Sequence, residues 1–434
     1  MTGDGTTPAG TVSTDTVVLI GGRAQREFTV LHHLGYRILH LDRRVPLHCM
    51  PWADVPVDVD VDDWDLVLKV VHDQLGGLAP AAVLTHVEPR IPLMAHLAGR
   101  LLADRPGLSL EAAWNCHDKW RTRNRLHEAG IAVPGFGLAG DADDAVRIAR
   151  DIGLPVVVKP RDGAGAFGVR RCLTPQEVHR AASAVLADPG SGTRTGILVE
   201  EYVDGPEYAV QTLTQHGRTR LLSIFRQHMT EPPVFVEIGY EHPSGLGESD
   251  EAALGDLVAS ALGALGVTDW ISHTQVRRGP DGFRVVEVNA RRPGGRLVEM
   301  TDAVCGVDMT KAVSQLALGI AVTADRPRAT HALYSSVVFD EPGFVTYRTG
   351  IDVSDQARAL PPIVEIEVAP GEPVLPADHP EGGVYGRIVV FGHSATEVAD
   401  GVGAIRQALG LRVSRLEGLA WQKESDSREF KSCC

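Results

Sequence analysis

Among the residues that could do chemistry, Lys159 stands where an apolar run gives way to a turn of small residues. The segment Leu154–Arg170 reads LPVVVKPRDGAGAFGVR, and its apolar start predicts a buried strand over 156–158. Small residues let backbone N–H groups approach an anion, and lysine supplies the opposite charge. The segment suits a polyphosphate, although a hairpin with a glycine-rich tip explains it as well. The turn contains Gly163, Ala164, Gly165, Ala166, Phe167 and Gly168.

Paired carboxylates end the next apolar run. The segment Ile197–Ala209 reads ILVEEYVDGPEYA, with Glu200 and Glu201 at the end of a predicted strand and Glu207 after a turn. Exposed backbone after a strand can bond the edge of an adenine, and a carboxylate can accept hydrogen bonds from ribose hydroxyls. An acidic hairpin without a ligand is the alternative.

Oxygen ligands recur in a third segment, Ser272–Arg292, where two predicted strands flank a GPDG turn. Glu287 and Asn289 are two residues apart, so both point to one face of their strand. Gln275 can lie across the hairpin from them. Oxygen ligands from adjacent strands, completed by phosphates, suit Mg²⁺. Arg291 continues the alternation and can bind a carboxylate or phosphoryl group.

Composition narrows the class of protein. The chain has 434 residues, and 42 Lys+Arg against 56 Asp+Glu give a net charge of −14, which disfavours nucleic acid as a partner. No apolar run approaches the roughly 18–20 residues of a membrane helix. The six cysteines form no CxxC pair, and the start of the sequence has no leader pattern. We expect a cytoplasmic enzyme without membrane or nucleic-acid partners.

Alternating strands and helices must position these residues. Apolar runs predict strands at 16–20, 36–42 and 81–85 and a helix over 92–102, which indicates a parallel α/β unit. Asp118 and Lys119 begin a predicted helix that ends at Gly130, followed by a strand into Pro134. Strands at 332–339, 343–347, 363–368 and 386–391, with a helix near 395–408, predict a β-rich C-terminal segment.

The order and spacing of these segments resemble one family. Lys119 and Lys159 are 40 residues apart, Glu200 follows after 41, and Glu287 after a further 87. This pattern resembles the ATP-grasp superfamily of carboxylate–amine and carboxylate–thiol ligases. The resemblance implies an α/β ATP-grasp fold with α+β lobes and a Rossmann-like N-terminal domain. The implied segments are a disordered tail at 1–14, a pre-ATP-grasp domain at 15–112, an ATP-grasp domain at 113–325 (small lobe about 130–200, large lobe about 201–325), a β-rich subdomain at 326–420 and a tail at 421–434.

The resemblance also implies roles for the residues. Lys119 and Lys159 would contact the α- and β-phosphates of ATP, and the Gly163–Gly168 turn would close over the γ-phosphate. Arg291 would stabilise the acyl phosphate and the tetrahedral species. The remaining implied ligands are Glu200, Glu201, Tyr202 and Val203 for adenine, Glu207 for ribose, and Gln275, Glu287 and Asn289 for one or two Mg²⁺ ions, with Mn²⁺ as a substitute.

Within the superfamily, the sequence is most similar to the bacilysin-type L-amino-acid ligases of natural-product biosynthesis. The matches are PVFVEIGYEHP at 233–243, His273-Thr274, and NARRPGG at 289–295. This resemblance places Glu237, His273 and Arg291 at the substrate site, with Glu237 or His273 as the base for the amine. Three departures are Gln275 in place of a carboxylate, Ala166-Phe167 in place of a hydroxyl, and the group Arg292, Arg296 and Leu297.

The implied reaction joins a carboxylate, usually of an amino acid, to an amine through an acyl phosphate. ATP is consumed, and ADP and phosphate are released. Two alternatives stay open: an ATP-grasp carboxylase or formyl-type ligase of nucleotide metabolism, and an ATP-binding module without turnover. The implied partners are small carboxylates and amines, and a homodimer is the expected assembly.

Overall fold

The structure is a computed structural model that describes residues 14–102, 105, 107–161, 168–187, 196–230, 235–352, 360–377, 379 and 382–415. The chain forms two compact units. The first comprises the described residues of Met1–Gln227 and Glu241–Ala332, and the second those of His228–Tyr240 and Leu333–Cys434. The predicted tails at 1–14 and 421–434 lie outside the described residues, apart from Thr14.

The first unit begins with a parallel sheet in the order β3-β2-β1-β4. Strands β1 and β4, and β2 beyond Arg37, are buried and mostly apolar, as expected for a sheet covered by helices. The edge strand β3 is partly exposed. Because the order reverses beside β1, the carboxyl ends of β1 and β4 flank a crevice of the kind that holds ligands. The strands are β1 (Thr16–Ile20), β2 (Arg37–Asp42), β3 (Val55–Asp58) and β4 (Ala82–Thr85), and the helices are α1 (Gln25–His33), α2 (Trp64–Gln74), α3 (Ile91–Leu101) and α4 (Leu110–His117), with 3₁₀ turns at Leu47–Trp52 and Glu88–Arg90.

A second sheet in this unit delivers Lys159 and Glu200. Its strands lie in the order β5-β8-β6-β7, and each pair is antiparallel. Val156, Val158 and Val199 pack beneath it with helix residues such as Ala145 and Val178. The elements are α5 (Lys119–Glu128), β5 (Phe136–Ala139), α6 (Ala142–Ile152), β6 (Val156–Pro160), β7 (Arg170–Cys172), α7 (Pro175–Ala187) and β8 (Ile197–Glu201).

The rest of the first unit contains an antiparallel group of strands in the order β13-β12-β9-β10. Trp270 is buried at the start of β12, and its indole N–H donates to the Ala290 carbonyl. The elements are β9 (Glu207–Gln215), β10 (Arg218–Met229), β11 (Glu237–His242), α8 (Glu248–Leu265), β12 (Trp270–Gly279), β13 (Gly282–Asn289), α9 (Leu297–Cys305) and α10 (Met309–Ala317). The unit boundary passes through β10 and β11.

The second unit is rich in strands. Part of β11 belongs to this unit, where the neighbouring strands follow in the order β11-β14-β18-β16. A smaller sheet has the strand order β17-β15-β19. One core cluster of this unit includes Val337, Ile388 and Ile405. The elements are β14 (His331–Ser336), β15 (Gly343–Thr346), β16 (Ile363–Ile366), β17 (Pro373–Val374), β18 (Gly386–Gly392), α11 (Ala395–Leu409) and β19 (Arg412–Arg415).

The α/β class is confirmed, including the parallel N-terminal sheet. One local prediction is wrong, because no strand runs into Pro134; the next strand begins at Phe136. Residues 131–135 instead follow the turn at Gly130, whose φ is +71°. No helix of the described part is long and apolar enough to cross a bilayer.

Candidate functional site

The start of α5 places Lys119 at the site. Asp118 caps the helix by accepting from the N–H groups of Trp120 and Arg121, at 3.0 and 3.1 Å. The same carboxylate binds the Arg161 guanidinium in a two-pronged contact, with Nε–Oδ1 at 2.9 Å and Nη2–Oδ2 at 2.5 Å. Asp118 therefore joins the helix that carries Lys119 to the chain just beyond Lys159.

Lys159 lies on β6, opposite Leu198 of β8. Its Nζ is 2.6 Å from Oε2 of Glu200, and the two side chains are only 6% and 3% exposed. Burial lowers the pKa of Lys159 although Glu200 opposes the shift. Burial likewise raises the pKa of Glu200, but Arg123 and Lys159 outweigh it, and the net shift is downward. The carboxylate is therefore ionised between two cations.

Arg123 is the second cation on Glu200, and none of the sequence motifs predicts it. Its Nε is 2.5 Å from Oε1 of Glu200, and its side chain is 1% exposed. Its Nη2 also donates to the Val286 carbonyl on β13. In the sequence Arg123 is one of four arginines or lysines in the polar helix KWRTRNRLHE. The spacing of four residues from Lys119 puts both on one helix face, and that spacing is the signal that could have identified it.

The predicted magnesium ligands come together on β12 and β13. Gln275 lies directly opposite Glu287, and His273 directly opposite Asn289. Gln275 Nε2 donates to Gln227 Oε1 at 3.4 Å, which directs an amide hydrogen away and leaves the Gln275 oxygen as an acceptor. The alternation expected from the sequence therefore places one carboxylate and two amides beside each other.

Glu287 is the ionised member of this set. Burial by itself raises the pKa of this carboxyl, but Lys119, Lys159 and Arg291 lower it to about 2. Lys119 Nζ lies 3.2 Å from Glu287 Oε1. A carboxylate with two amide oxygens is a donor set that suits a hard cation such as Mg²⁺. Among the described residues, no group of three or more His, Cys, Asp or Glu side chains could hold a metal by itself.

His273 is buried beside these ligands. Its Nδ1 lies 3.1 Å from Nε2 of Gln211 on β9. Burial, with a further contribution from Arg291, lowers the pKa of His273 to about 3. The ring is therefore neutral near pH 7 and is a poor proton acceptor there.

Arg291 lies beyond the end of β13, so strand alternation no longer fixes its direction. Its Nε is 2.8 Å from Oε2 of Glu88, which follows β4. The neighbouring Arg292 pairs with Glu27 on α1, and its Nε donates to Nδ1 of His86 at 3.2 Å. Arg291 and Arg292, which follow the predicted metal ligands, thus contact residues at the crevice beside β1 and β4. Glu88 and Glu27 were not predicted as members of the site.

The segment expected at adenine has side chains with partners of their own in this structure, and its contact with adenine stays a prediction. The Glu200 side chain is paired with Arg123 and Lys159. Only the backbone of Glu200 is therefore available to bind an adenine ring. Glu201 Oε2 accepts from the Gly135 N–H at 3.0 Å, and the Val203 side chain is buried. The Tyr202 ring lies between two guanidinium groups, from Arg171 at 4.3 Å and Arg277 at 5.0 Å.

Glu207 begins β9, opposite Arg277 of β12. Its Oε2 is 3.5 Å from the Arg277 Nε, so the carboxylate predicted to meet ribose is paired with a cation in this structure. Its contact with ribose stays a prediction.

Gly168 is the one residue of the predicted phosphate turn that the structure describes. Its φ is +70°, and a Cβ there would come within 3.1 Å of the Pro160 ring. Both facts favour glycine. Gly163, Gly165, Ala166 and Phe167 lie outside the described residues, so their contact with the γ-phosphate stays a prediction.

Residues 152–300 match the sequence model of the ATP-grasp domain. They include Lys159, Glu200, Gln275, Glu287 and Asn289. This part of the chain is an ATP-grasp domain. The ATP-grasp fold expected from motif order is confirmed.

Known proteins of this kind are similar over part of the chain. An uncharacterized protein, y4rH of Sinorhizobium fredii, is 29% identical over 273 residues, 62% of this chain and 56% of y4rH. A D-alanine–D-alanine ligase of Pseudomonas fluorescens is 29% identical over 48% of this chain and 64% of the ligase. Carnosine synthase 1 of Gallus gallus is 30% identical over 60% of this chain and 29% of the synthase. The chain therefore spans less than two thirds of the length of each of these three relatives.

A solved structure extends the likeness to the whole fold. The crystal structure of L-amino acid ligase from Bacillus licheniformis aligns with a TM-score of 0.73 and 24% identity. The alignment covers 94% of this chain and 100% of the ligase chain. At this identity the match demonstrates the shared fold.

Glu237 belongs to the second unit of the chain. Its Oε2 accepts from the Tyr240 hydroxyl at 2.6 Å, and its backbone carbonyl accepts from Ser336. Burial raises the pKa of Glu237, and the Tyr240 hydrogen bond only partly offsets this. A carboxyl with a raised pKa is closer to the range in which it can exchange a proton near neutral pH.

Proposed function

We propose that this chain is an ATP-dependent carboxylate–amine ligase that forms an amide through an acyl phosphate. The observation that carries the proposal is the charged group of Lys119, Arg123, Lys159, Glu200 and Glu287, of which Arg123, Lys159 and Glu200 are buried. Three cations and two carboxylates leave one positive charge unbalanced, beside three oxygen ligands on β12 and β13. A nucleotide triphosphate with Mg²⁺ matches this arrangement.

The reaction would run in two steps. A substrate carboxylate oxygen attacks the γ-phosphorus of ATP, the bond to the β-phosphate oxygen breaks, and ADP leaves. The amine nitrogen then attacks the acyl carbon, loses a proton, and expels phosphate. Lys119 and Lys159 would bind the phosphate oxygens, and Gln275, Glu287 and Asn289 would hold Mg²⁺. Bound Mg²⁺ supplies charge neutralisation at the transferring phosphoryl group.

Arg291 is the proposed partner of the reacting carboxyl oxygens. Its guanidinium is ion-paired with Glu88, so a substrate carboxylate would compete with Glu88 for the same donors. Glu237 or His273 is the proposed acceptor of the amine proton.

Amino acids are the proposed substrates. The names of three relatives, a D-alanine–D-alanine ligase, a carnosine synthase and an L-amino acid ligase, support this class. A role in natural-product biosynthesis, a cytoplasmic location and a homodimer belong to the same proposal. An acid with further negative charge would have to displace Glu88, Glu27 or Glu299, which pair with Arg291, Arg292 and Arg296 in this structure.

An ATP-binding module without turnover is the second candidate. Gln275 favours it, because an amide replaces a charged ligand opposite Glu287. The two candidates differ in phosphate release, since a module without turnover would bind ATP but leave it intact.

Trapping of the acyl phosphate tests the proposal. The chain would be mixed with ATP, Mg²⁺, hydroxylamine and one acid at a time from a panel of amino acids and other carboxylates. We expect phosphate release with at least one acid, and a hydroxamate of that acid in equal amount. Glu287→Ala should abolish both products, since it removes the ionised metal ligand. ATP binding without phosphate release from any acid would contradict the ligase and support the module.

A further inference from the structure

Three residues, the N-cap of α5 and two residues in its first turn and a half, make contacts with different strands. Asp118 binds Arg161 at the end of β6, and Lys119 binds Glu287 on β13. Arg123, one turn beyond Lys119, reaches both Glu200 on β8 and the Val286 carbonyl on β13. This part of α5 therefore contacts the strand that carries Lys159, its neighbour β8, and the strand that carries Glu287.

Arg123 is unusual among these residues because it is almost completely buried. A buried guanidinium needs a partner for its charge and acceptors for its N–H groups. The Glu200 carboxylate and the Val286 carbonyl supply both. By contrast Arg125, two residues further, is half exposed and pairs with the exposed Glu111 on the surface.

Glu200 divides its two oxygens between two cations. Oε1 faces Arg123 and Oε2 faces Lys159, at 2.5 and 2.6 Å. Without Arg123, Oε1 would be a buried charged acceptor without its donor, and the carboxylate would have to rotate, rebind or become protonated. Each of these changes would move or release the Lys159 ammonium.

We propose that Arg123 is a positioning residue that holds Glu200 so that Lys159 is presented to the phosphates of the nucleotide. The inference rests on the proposed function, because it requires that ATP binds at Lys159. Arg123 itself does not touch the nucleotide. Its contact with Val286 keeps the same helix against the strand of the metal ligands, so one side chain sets the spacing between the phosphate-binding lysine and Glu287.

Equilibrium binding of ATP and of adenosine to the full chain, in the presence of Mg²⁺, tests this role. We expect Arg123→Met to weaken ATP binding by about 10–100-fold, the range for residues that orient a ligand-binding group. Adenosine, which has no phosphates, should bind as it does to the unchanged chain. Arg123→Lys keeps the charge but not the planar guanidinium that contacts both Glu200 and the Val286 carbonyl. Its loss of ATP affinity should therefore be smaller than that of Arg123→Met. Arg125→Met removes a charge from the same helix and should change neither affinity.

A double substitution tests the route through Glu200. If Arg123 acts through this carboxylate, Arg123→Met added to Glu200→Gln should change ATP affinity by no more than about twofold. Independent, multiplied losses would overturn the proposal. So would an equal loss for adenosine and ATP, which would indicate general damage to the site, or unchanged ATP affinity in Arg123→Met.

Two further results keep the outcomes distinct. If Arg123→Met does not fold, Arg123→Lys serves alone, and an ATP affinity equal to that of the unchanged chain would overturn the proposal. If the unchanged chain binds neither ATP nor adenosine, the proposed function itself fails, and this result is separate from any effect of Arg123.

Discussion

At the scale of single residues, the pairing of Gln275 with Glu287 sets the charge of the predicted magnesium site. The two residues lie directly opposite on β12 and β13, where side chains on one face are close neighbours. A carboxylate opposite Glu287 would strengthen the attraction for a divalent cation but would add repulsion when none is bound. The amide of Gln275 avoids that repulsion, but it also leaves the site with less negative charge to attract the cation.

Gln275→Glu should therefore lower the Mg²⁺ concentration needed for half-maximal ATP turnover. It should also lower the melting temperature without Mg²⁺ and enlarge the rise that Mg²⁺ produces, because binding to the folded state stabilises it. Thermal unfolding at graded Mg²⁺ concentrations measures this. Gln215→Glu, at the far end of β9, adds the same charge away from the ligands and is the control. An unchanged Mg²⁺ dependence in Gln275→Glu would contradict the assignment of this position as a ligand.

At the scale of elements, the beginning of α5 has both a local and a long-range cause. Asp118 is an N-cap, which any helix of this sequence could use. Its bond to Arg161 depends on β6 ending nearby. Burial raises the pKa of Asp118, but Arg161 and the backbone N–H groups outweigh it and lower the pKa. The carboxylate is thus ionised at neutral pH, as both contacts require.

Asp118→Ala should cost about 1–2 kcal/mol of unfolding free energy through the lost cap and should also raise the KM for ATP. Asp141→Ala removes the equivalent cap of α6, where the side chain accepts from the Asp144 N–H. It should cost a similar free energy of unfolding and leave the KM for ATP unchanged. Denaturant unfolding and steady-state kinetics of both variants check the prediction, and an equal rise in KM in both would contradict it.

At the scale of the whole molecule, buried histidines make stability depend on pH. His40 on β2 is fully buried, and its ring packs edge-on against Phe28 at 5.1 Å. Burial lowers the pKa of His40 from 6.5 to about 4, and the same cause lowers that of His86 to about 4. As the pH falls below 6.5, the unfolded chain takes up these protons before the folded chain does. Folding stability is therefore lost between pH 6.5 and 4.

His40→Leu should remove part of this loss. The shift of His40 corresponds to about 3 kcal/mol at full protonation of the unfolded chain, so the unfolding free energy of the variant should fall less steeply from pH 6.5 to 4. His33→Gln, on the exposed side of α1, is the control and should keep the original slope. Denaturant unfolding at several pH values measures both, and identical slopes for His40→Leu and the unchanged chain would contradict the prediction.

The sequence by itself determined the fold class and the local order of the site. Strand alternation put Glu287 and Asn289 on one face, and the short GPDG turn put Gln275 across from Glu287. These features depend on a period of two residues and on a tight turn, which are local properties of the chain. Most predicted strands and helices agree with the structure within a few residues for the same reason.

Only the tertiary structure decided which charges meet. Arg123 and Glu200 are 77 residues apart, Glu88 and Arg291 203 apart, and Glu27 and Arg292 265 apart. In the sequence each of these is one charged residue among many. Their pairing could not be predicted, because it depends on how separate elements pack and which of them exclude water. That packing turned Arg123 from one of several arginines of a polar helix into the buried partner of Glu200.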